Sequence, residues 1–309
     1  MKVLITGGLG NLGLWLTHYF LDQGHYVTVL GRSERVIISH PNYQFLRVDI
    51  TDLNSLKASI NCYYDTCIHA ASFNEHFKEN YGEDALRINA LGTEFLCQAL
   101  MVYGVGKLAY LSTFHIYGIS EGVVTEDSPI NPVNDYGLTH FFAEKYIEKN
   151  AKINGLKYVI FRLTNSYGCP KDINSDKWYL VLNDLCRQAH DNKKIQLTSN
   201  GKALRDFIWM GDAAQIIEKI SVYDEVINEV VNLSANMTYS IIDVAEYVQA
   251  AYLILFGEKL AIEVNESDTF VARPLTVSNL KLIEFLPYNF DNHFQSEAIN
   301  ILKMLSDNK

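Results

Sequence analysis

Residues 2–13, Lys-Val-Leu-Ile-Thr-Gly-Gly-Leu-Gly-Asn-Leu-Gly, decide the fold of this chain. A short apolar run ends in glycines at positions 7, 10 and 13, and an amphipathic segment, Leu12–Gln23, follows at once. This is the order of a strand, a tight glycine turn and a helix. Glycine permits the turn and lets the backbone come close to a phosphate or a neighbouring strand. The stretch therefore predicts the first βα unit of a parallel sheet, with an anion-binding helix N-terminus where the strand ends.

The alternation of apolar runs and helical patterns continues through the first half of the chain. Apolar runs that lack polar alternation and are separated by helices indicate parallel strands covered on both faces. The pattern predicts an α/β fold with a Rossmann-type, doubly wound parallel sheet. The predicted strands are Lys2–Thr6, Tyr26–Leu30, Gln44–Val48, Thr66–Ala70, Lys107–Ser112 and Tyr158–Leu163, and the main helices are Leu12–Gln23, Ala85–Tyr103 and Tyr136–Asn154.

The pattern changes after about Gly168. A loop-like stretch, residues 169–177, precedes a helix predicted near Trp178–His190, and shorter elements follow. We expect residues 1–168 to form the dinucleotide-binding Rossmann domain. Residues 169–309 are expected to form mainly a smaller substrate-binding lobe, interleaved with the sheet, with part of residues 201–240 returning to the first domain.

Composition narrows the set of partners. The chain has 309 residues, 48% of them hydrophobic, which is enough for a sizeable core. Its 26 basic and 36 acidic residues give a net charge of −10, which argues against nucleic-acid binding. No apolar stretch approaches the ~20 residues that span a bilayer, the N-terminus lacks a signal-peptide pattern, and the five cysteines lack metal-ligand spacing. We expect a soluble, cytoplasmic protein without a membrane, nucleic-acid or metal partner.

The glycine loop predicts a dinucleotide cofactor. The free N–H groups of the helix N-terminus suit a pyrophosphate. The second strand ends at Gly31, where an acidic residue would favour NAD, and Arg32 follows. An arginine suits a 2′-phosphate, so NADP(H) is favoured. An Arg32 that stacks on adenine or faces solvent would leave NAD(H) possible. Asp49, at a later strand end, could accept a hydrogen bond from the adenine amino group.

Further motifs follow the glycine loop in a characteristic order, and together they resemble the extended short-chain dehydrogenase/reductase family of nucleotide-sugar epimerases, dehydratases and reductases. They are Asp49-Ile50, Ile68-His69-Ala70-Ala71, Asn89-Ala90-Leu91-Gly92-Thr93, residues 111–118 (LSTFHIYG), 125–129 (TEDSP), 135–139 (DYGLT), 161–168 (FRLTNSYG), 205–208 (RDFI), Asp212 and Arg273-Pro274. The resemblance implies a cofactor site lined by Gly7, Gly10, Asn11, Leu12, Gly13, Arg32, Asp49, Ile50, Ala70, Ala71, Asn89, Ser112, Tyr136 and His140.

The same resemblance implies the catalytic residues. Tyr136 exchanges a proton with the substrate oxygen while the nicotinamide gives or takes hydride, and Thr113 donates a hydrogen bond to that oxygen. A free phenol has a pKa of ~10, so the family places a lysine four residues after the tyrosine to stabilise the phenolate. Here that position is His140. Lys145 is nine residues from Tyr136 and lies on a different part of the helix.

Three hypotheses for His140 remain open. It is protonated beside the cofactor and replaces the lysine, with its ring nitrogens bonding the ribose hydroxyls. Alternatively, Tyr136 works without a strong cationic partner, slowly or at alkaline pH. In the third hypothesis redox chemistry has been lost and the chain only binds a dinucleotide.

The resemblance implies a nucleotide-linked sugar as substrate. Arg205 and Arg273 match the family's diphosphate-binding arginines, with surface salt bridges as the alternative, and Asn165 would contact the sugar or a diphosphate oxygen. His115 is either an acid/base near the sugar or a packed aromatic ring. The dehydratases carry an acidic pair where this chain has Phe114 and His115, so 4,6-dehydration is disfavoured.

Reduction of a keto-deoxy sugar by exchangeable NADPH is the favoured activity. A 4-epimerase with tightly bound NAD is the alternative, and a non-catalytic dinucleotide-binding protein is the third possibility. The family commonly dimerises through the two helices that correspond to Ala85–Tyr103 and Tyr136–Asn154, so a homodimer is expected.

Overall fold

The computed structural model describes residues 1–35, 37–74, 81–223 and 225–308. The strands are β1 Lys2–Thr6, β2 Tyr26–Gly31, β3 Tyr43–Arg47, β4 Tyr64–His69, β5 Val105–Thr113, β6 Gly122–Val124, β7 Tyr158–Leu163, β8 Asn165–Tyr167, β9 Lys194–Gln196, β10 Leu204–Trp209, β11 Glu229–Leu233, β12 Thr238–Ser240, β13 Ala261–Glu263 and β14 Leu275–Val277. The α-helices are α1 Asn11–Asp22, α2 Leu53–Ser59, α3 Gly82–Ala85, α4 Gly92–Tyr103, α5 Asp135–Asn154, α6 Val181–Asn192, α7 Met210–Val222, α8 Ile241–Phe256, α9 Leu280–Phe285 and α10 Phe294–Asp307. A π-helix, Leu86–Leu91, joins α3 to α4, and a 3₁₀ turn, Phe114–Tyr117, follows β5.

Seven parallel strands form the central sheet in the order β11-β7-β5-β4-β1-β2-β3. The chain starts at β1, moves outward to β3, and then returns to build the other side from β4. The switch point therefore lies between β1 and β4, the place where ligands bind in sheets of this kind. The predicted doubly wound α/β fold is confirmed.

Helices cover both faces of this sheet. One face packs against α1 and α7 through side chains such as Phe20 and Ile217. The other packs against α2, α4 and α5 through side chains such as Leu100 and Ile147. The central strands are almost fully buried, which is why their sequences read as continuous apolar runs.

A second core lies among α6, α8, α10 and the small sheets β12-β10-β8 and β13-β9. Its centre is aromatic: the rings of Tyr167 and Phe294 stack with centroids 3.9 Å apart, and Phe207 packs edge-on against Phe294. Strand β10 leads directly into α7, and β11 then adds to the edge of the large sheet.

The predicted elements match closely in the first half of the chain. Strands β1 and β7 have the predicted bounds, and the other predicted strands differ by one or two residues at an end. The helix expected near Trp178 instead begins at Val181. Trp178 belongs to the preceding turn, since its indole Nε1 donates a hydrogen bond to Ile173 O at 3.2 Å. None of the helices in the described ranges is long and apolar enough to cross a membrane.

Candidate active site

The glycine loop forms a tight cradle at the switch point of the sheet. Gly7 has φ +68°, and a Cβ there would lie 2.7 Å from the Cα of Ala71, just after β4. A Cβ on Gly13 would overlap the Gly7 carbonyl oxygen. Gly10 N donates to Gly7 O at 2.9 Å, and Ala71 N donates to Thr6 Oγ1 at 3.2 Å. These positions therefore require glycine, and the loop presents open backbone to a ligand.

The N-terminus of α1 suits an anionic group. Gly10 caps the helix without a side-chain hydrogen bond, and the first turn contains no acidic residue, so its partial positive charge is not compensated. Asn11 Oδ1 is buried and has no hydrogen-bond partner among the described residues. Leu12 packs against the core of the sheet. The cradle and the uncapped N–H groups together fit the pyrophosphate of a dinucleotide.

Strand β2 ends in Gly31, and the positively charged Arg32 follows it. Arg32 is exposed after Gly31, and its carbonyl accepts a hydrogen bond from Arg47 Nε at 3.1 Å. Burial acts to raise the pKa of Asp49, but hydrogen bonds from Thr51 and the charges of Arg32 and Arg87 outweigh it and lower that pKa. Asp49 is therefore an ionised acceptor near the predicted adenosine site. The side chain of Ile50 lies against Gly92 at the start of α4.

Tyr136 and Thr113 come together from different elements. Asn134 caps α5 by accepting a hydrogen bond from Gly137 N at 2.8 Å. A Cβ on Gly137 would lie 2.6 Å from His115 O, so only glycine lets α5 approach the 3₁₀ turn this closely. Thr113 caps that turn, and its side chain forms a hydrogen bond with that of Tyr136. The structure thus brings the predicted catalytic hydroxyl pair together at the end of β5.

The Tyr136 phenol is neutral at physiological pH. Burial raises its pKa to about 12; the Thr113 hydrogen bond acts in the opposite direction, and Tyr179 raises it further. No cation of the described residues contributes. Without a bound cofactor, the chain itself therefore does not stabilise the phenolate.

His140 lies in surroundings that disfavour a charged ring. Its ring is 2% exposed, and its centroid lies 4.5 Å from that of Tyr136 in an edge-on arrangement. Nδ1 and Nε2 form hydrogen bonds with Tyr110 Oη at 2.6 Å and Ser72 Oγ at 3.0 Å. Burial, together with His69 and His115, lowers its pKa to about 3. Burial between two neutral partners therefore disfavours a protonated His140, and its role beside a bound cofactor stays a prediction.

Two predicted cofactor ligands are engaged with the protein. Asn89, 1% exposed, accepts from Phe73 N at 2.6 Å and donates to Phe73 O and to Thr139 Oγ1 at 3.2 and 3.0 Å. Ser112 Oγ donates to Glu144 Oε1 at 2.5 Å. The structure gives both side chains a positioning role around α5, and their contact with a cofactor stays a prediction.

A buried ion pair behind the site was missed by the sequence analysis. Glu144 Oε2 and Arg162 Nη2 are 2.9 Å apart, and Arg162 also donates to Tyr117 Oη at 3.0 Å. The pair ties α5 to β7 beneath the hydroxyl pair. Two signals could have found it: Tyr136, His140 and Glu144 follow at four-residue spacing on one helix face, and Arg162 interrupts an apolar strand.

The predicted substrate residues lie in different surroundings. His115 is exposed and its ring meets that of Tyr136 edge-on, with centroids 5.8 Å apart. Asn165 Nδ2 donates to Asp206 O at 2.9 Å. Arg205 is exposed on β10 and pairs with no carboxylate of the described ranges. Arg273 forms an exposed ion pair with Glu121 at 2.7 Å, which is the surface salt bridge stated above as the alternative.

Fold and site together define a class of protein. A glycine cradle at the switch point of a doubly wound sheet, beside a tyrosine–threonine pair, is the arrangement of a dinucleotide-dependent short-chain dehydrogenase/reductase. The family model described as the NAD dependent epimerase/dehydratase family matches residues 3–234. The chain belongs to this family.

Comparison with known proteins gives relatives of the same kind. The chain is 29% identical over 223 residues to a putative UDP-glucose 4-epimerase of Methanocaldococcus jannaschii, covering 69% of this chain and 71% of that one. Among solved structures, UDP-glucose 4-epimerase of Thermotoga maritima with UDP-glucose has a TM-score of 0.82 at 19% identity, covering 100% of both chains. The NAD complex of UDP-glucose 4-epimerase from Thermus thermophilus has a TM-score of 0.80 at 21% identity, covering 98% of this chain and 99% of that one. These two structural likenesses establish the fold.

Proposed function

We propose that the protein is an NAD(P)-dependent oxidoreductase that acts on a nucleotide-linked sugar. The observation that carries the proposal is the Tyr136–Thr113 hydroxyl pair at the carboxyl end of the sheet that holds the glycine cradle. A polarising hydroxyl beside a proton donor is the arrangement that carbonyl reduction or alcohol oxidation needs. The family relationship supports the same chemistry.

Reduction of a keto-deoxy sugar is the direction that these residues favour. When bound, the nicotinamide supplies the hydride. Thr113 orients the carbonyl oxygen, and Tyr136 gives its proton to the oxygen as negative charge develops there. Because burial raises the pKa of Tyr136 to about 12, the phenol holds this proton at neutral pH. Oxidation needs the phenolate, which no cation of the described residues stabilises.

The substrate and cofactor assignments rest on charged side chains. We propose that residues 169–309 hold mainly the sugar nucleotide and that Arg205, exposed and unpaired within the described ranges, meets its diphosphate. NADP(H) is the proposed cofactor because Arg32 follows Gly31 where NAD-specific proteins carry an acid. NAD(H) is the alternative, which the NAD-bound structural neighbour supports.

Dinucleotide titration tests the cofactor assignment. Nicotinamide fluorescence would follow binding of NADPH and, separately, NADH to the wild type, Arg32→Ala and the control Arg187→Ala, which removes an exposed arginine of α6. We expect Arg32→Ala to weaken NADPH at least tenfold and to leave NADH and the control unchanged. Preference of the wild type for NADH would refute the NADP(H) assignment.

Turnover with nucleotide-linked keto-deoxy sugars tests the reaction. The wild type should oxidise NADPH in their presence, as followed by absorbance. Tyr136→Phe should lose at least 10³-fold in kcat, because the proton donor is removed, and should keep its cofactor affinity within about twofold. Tyr110→Phe, a buried tyrosine that contacts His140, is the matched control. A Tyr136→Phe variant as active as the wild type would refute the mechanism.

A 4-epimerase with retained NAD is the second candidate, because all three relatives above bear that name. It predicts NAD in the supernatant of the heat-denatured protein and interconversion of UDP-glucose and UDP-galactose without added cofactor. Dinucleotide binding with neither epimerisation nor reduction would favour the non-catalytic protein.

We also propose a homodimer through α4 and α5. Both helices carry exposed apolar side chains: Val102 and Tyr103 on α4, and Leu138, Phe142 and Ile153 on α5. A pair of such faces would form a four-helix bundle. Light scattering on a size-exclusion column should give twice the mass of 35.1 kDa. Phe142→Glu should shift the protein toward the monomer.

A further inference from the structure

A segment of the loop between β8 and α6 lies over the beginning of α1. Trp15 Nε1 donates a hydrogen bond to Cys169 O at 3.1 Å, and Lys171 Nζ lies 3.7 Å from the centroid of the Trp15 ring. Arg35, just beyond β2, then reaches across to this loop: its Nη1 is 2.7 Å from Asp172 Oδ2. We refer to the Arg35–Asp172 pair as the clasp.

Asp172 is held as an ionised acceptor. Its Oδ1 accepts hydrogen bonds from the backbone N and the Nδ2 of Asn174, at 2.9 and 3.3 Å. Its side chain is 4% exposed, whereas that of Arg35 is 44% exposed. Burial acts to raise the pKa of Asp172, but the Asn174 and Arg35 hydrogen bonds outweigh it and keep that pKa low. The clasp therefore joins a buried carboxylate on the loop to a partly exposed arginine after β2.

The clasp closes over the glycine cradle. Leu9, Gly10 and Asn11 line one side of a small cavity, and Arg35, Lys171 and Asp172 line the other. The residues at the α1 N-terminus, whose uncapped N–H groups fit the pyrophosphate, therefore line this cavity. The segment after β2 and the loop after β8 therefore meet beside the N–H groups that would hold a dinucleotide.

We propose that the Arg35–Asp172 clasp retains the dinucleotide and sets its rate of release. This inference rests on the proposed dinucleotide site and adds a role for Arg35 and Asp172 in retaining the cofactor. The clasp joins the segment after β2 to the loop after β8 beside the pyrophosphate site, so its opening would widen the path for cofactor exchange. Its half-exposed arginine makes it a weak, reversible closure rather than a permanent one.

The test is the dissociation rate of bound NADPH and NADH, measured by stopped-flow fluorescence after displacement with excess oxidised dinucleotide. We expect Asp172→Asn and Arg35→Gln each to release the dinucleotide about tenfold faster than the wild type, the range of one charge-assisted hydrogen bond. The double variant should be no faster than either single variant, because both remove the same pair. Asp184→Asn, which breaks an exposed ion pair on α6, is the matched control.

A second pair of variants separates the clasp from damage to the loop. Arg35→Asp alone should release the dinucleotide quickly, and Arg35→Asp with Asp172→Arg should restore at least part of the slow release. Thermal unfolding should show that all variants remain folded. Release rates equal to the wild type in both single variants, with dinucleotide bound, would overturn the clasp and leave the proposed function intact. A wild type that binds neither dinucleotide would overturn both.

Discussion

Replacement of His140 by lysine would place a charge where this chain has a neutral ring. The centroids of the His140 and Tyr136 rings are 4.5 Å apart. For an ammonium group at a separation of roughly 5 Å from the phenol oxygen, the size of the effect follows from Coulomb's law. At an effective dielectric constant of about 20, Coulomb's law gives about 3 kcal/mol in favour of the phenolate. This corresponds to about two pKa units. Because Tyr136 is only half-buried, solvent screening reduces the expected fall to between about one and two units.

The assay is the pH dependence of kcat/KM for oxidation of the sugar nucleotide, the direction that requires the phenolate. We expect the acidic limb of the His140→Lys profile to move down by about one to two pH units relative to the wild type. His140→Gln, which can keep polar contacts with Tyr110 and Ser72 without a charge, should show no such shift. A folded His140→Lys variant that binds cofactor and has the wild-type profile would refute this electrostatic reasoning.

Three further predictions test the structure around the site. Gly13→Ala puts a Cβ on the Gly7 carbonyl oxygen and should weaken dinucleotide binding at least 100-fold in a fluorescence titration. Burial raises the pKa of Asp206 to about 7 from 3.8, so the folded state binds the proton more tightly than the unfolded state. Stability should therefore fall as pH rises from about 4 through 7, and urea unfolding at pH 5 and pH 8 should show a loss of about 2 kcal/mol that Asp206→Asn lacks. Glu144→Gln leaves Arg162 buried without its counter-charge and should lower the free energy of unfolding by about 3 kcal/mol. The double variant Glu144→Gln with Arg162→Met should recover part of this loss. A double variant as unstable as Glu144→Gln would contradict the ion-pair interpretation.

Local pattern was sufficient to predict the first half of the fold. Strands β1 and β7 are apolar runs bounded by polar residues, and their sequence bounds coincide with the structural ones. The π-helix Leu86–Leu91 was not predicted, because its apolar spacing reads as part of an ordinary helix. The start of α6 was misplaced because the aromatic residues at 178 and 179 extend the apolar pattern into a turn.

The sequence motifs predicted which residues form the site, but they did not predict the contacts of those residues with other elements. Tyr136 and Thr113 were identified from motifs that resemble those of the family, and the structure joins them by a hydrogen bond. The charge of His140 depends on its burial against other elements, which spacing along one helix does not contain. The partner of Arg273 is Glu121, which is 152 residues away in sequence. The pairing of β6 with β14 brings the two residues together, and a local sequence pattern cannot predict this contact.

The π-helix Leu86–Leu91 makes the number of residues in this part of the chain important. A π turn holds one more residue than an α-turn, and each residue rotates a helix by about 100°. Asn89 lies in this turn, and its side chain forms hydrogen bonds with the backbone N and O of Phe73. Thr93 Oγ1 donates a hydrogen bond to Asn89 O at 2.5 Å. Deletion of one residue from the π-helix would leave a regular α-helix. It would also rotate the preceding residues by about 100° around the helix axis relative to Asn89 and α4. Gaps in related sequences should therefore avoid residues 86–91, although such a gap would improve the helix itself.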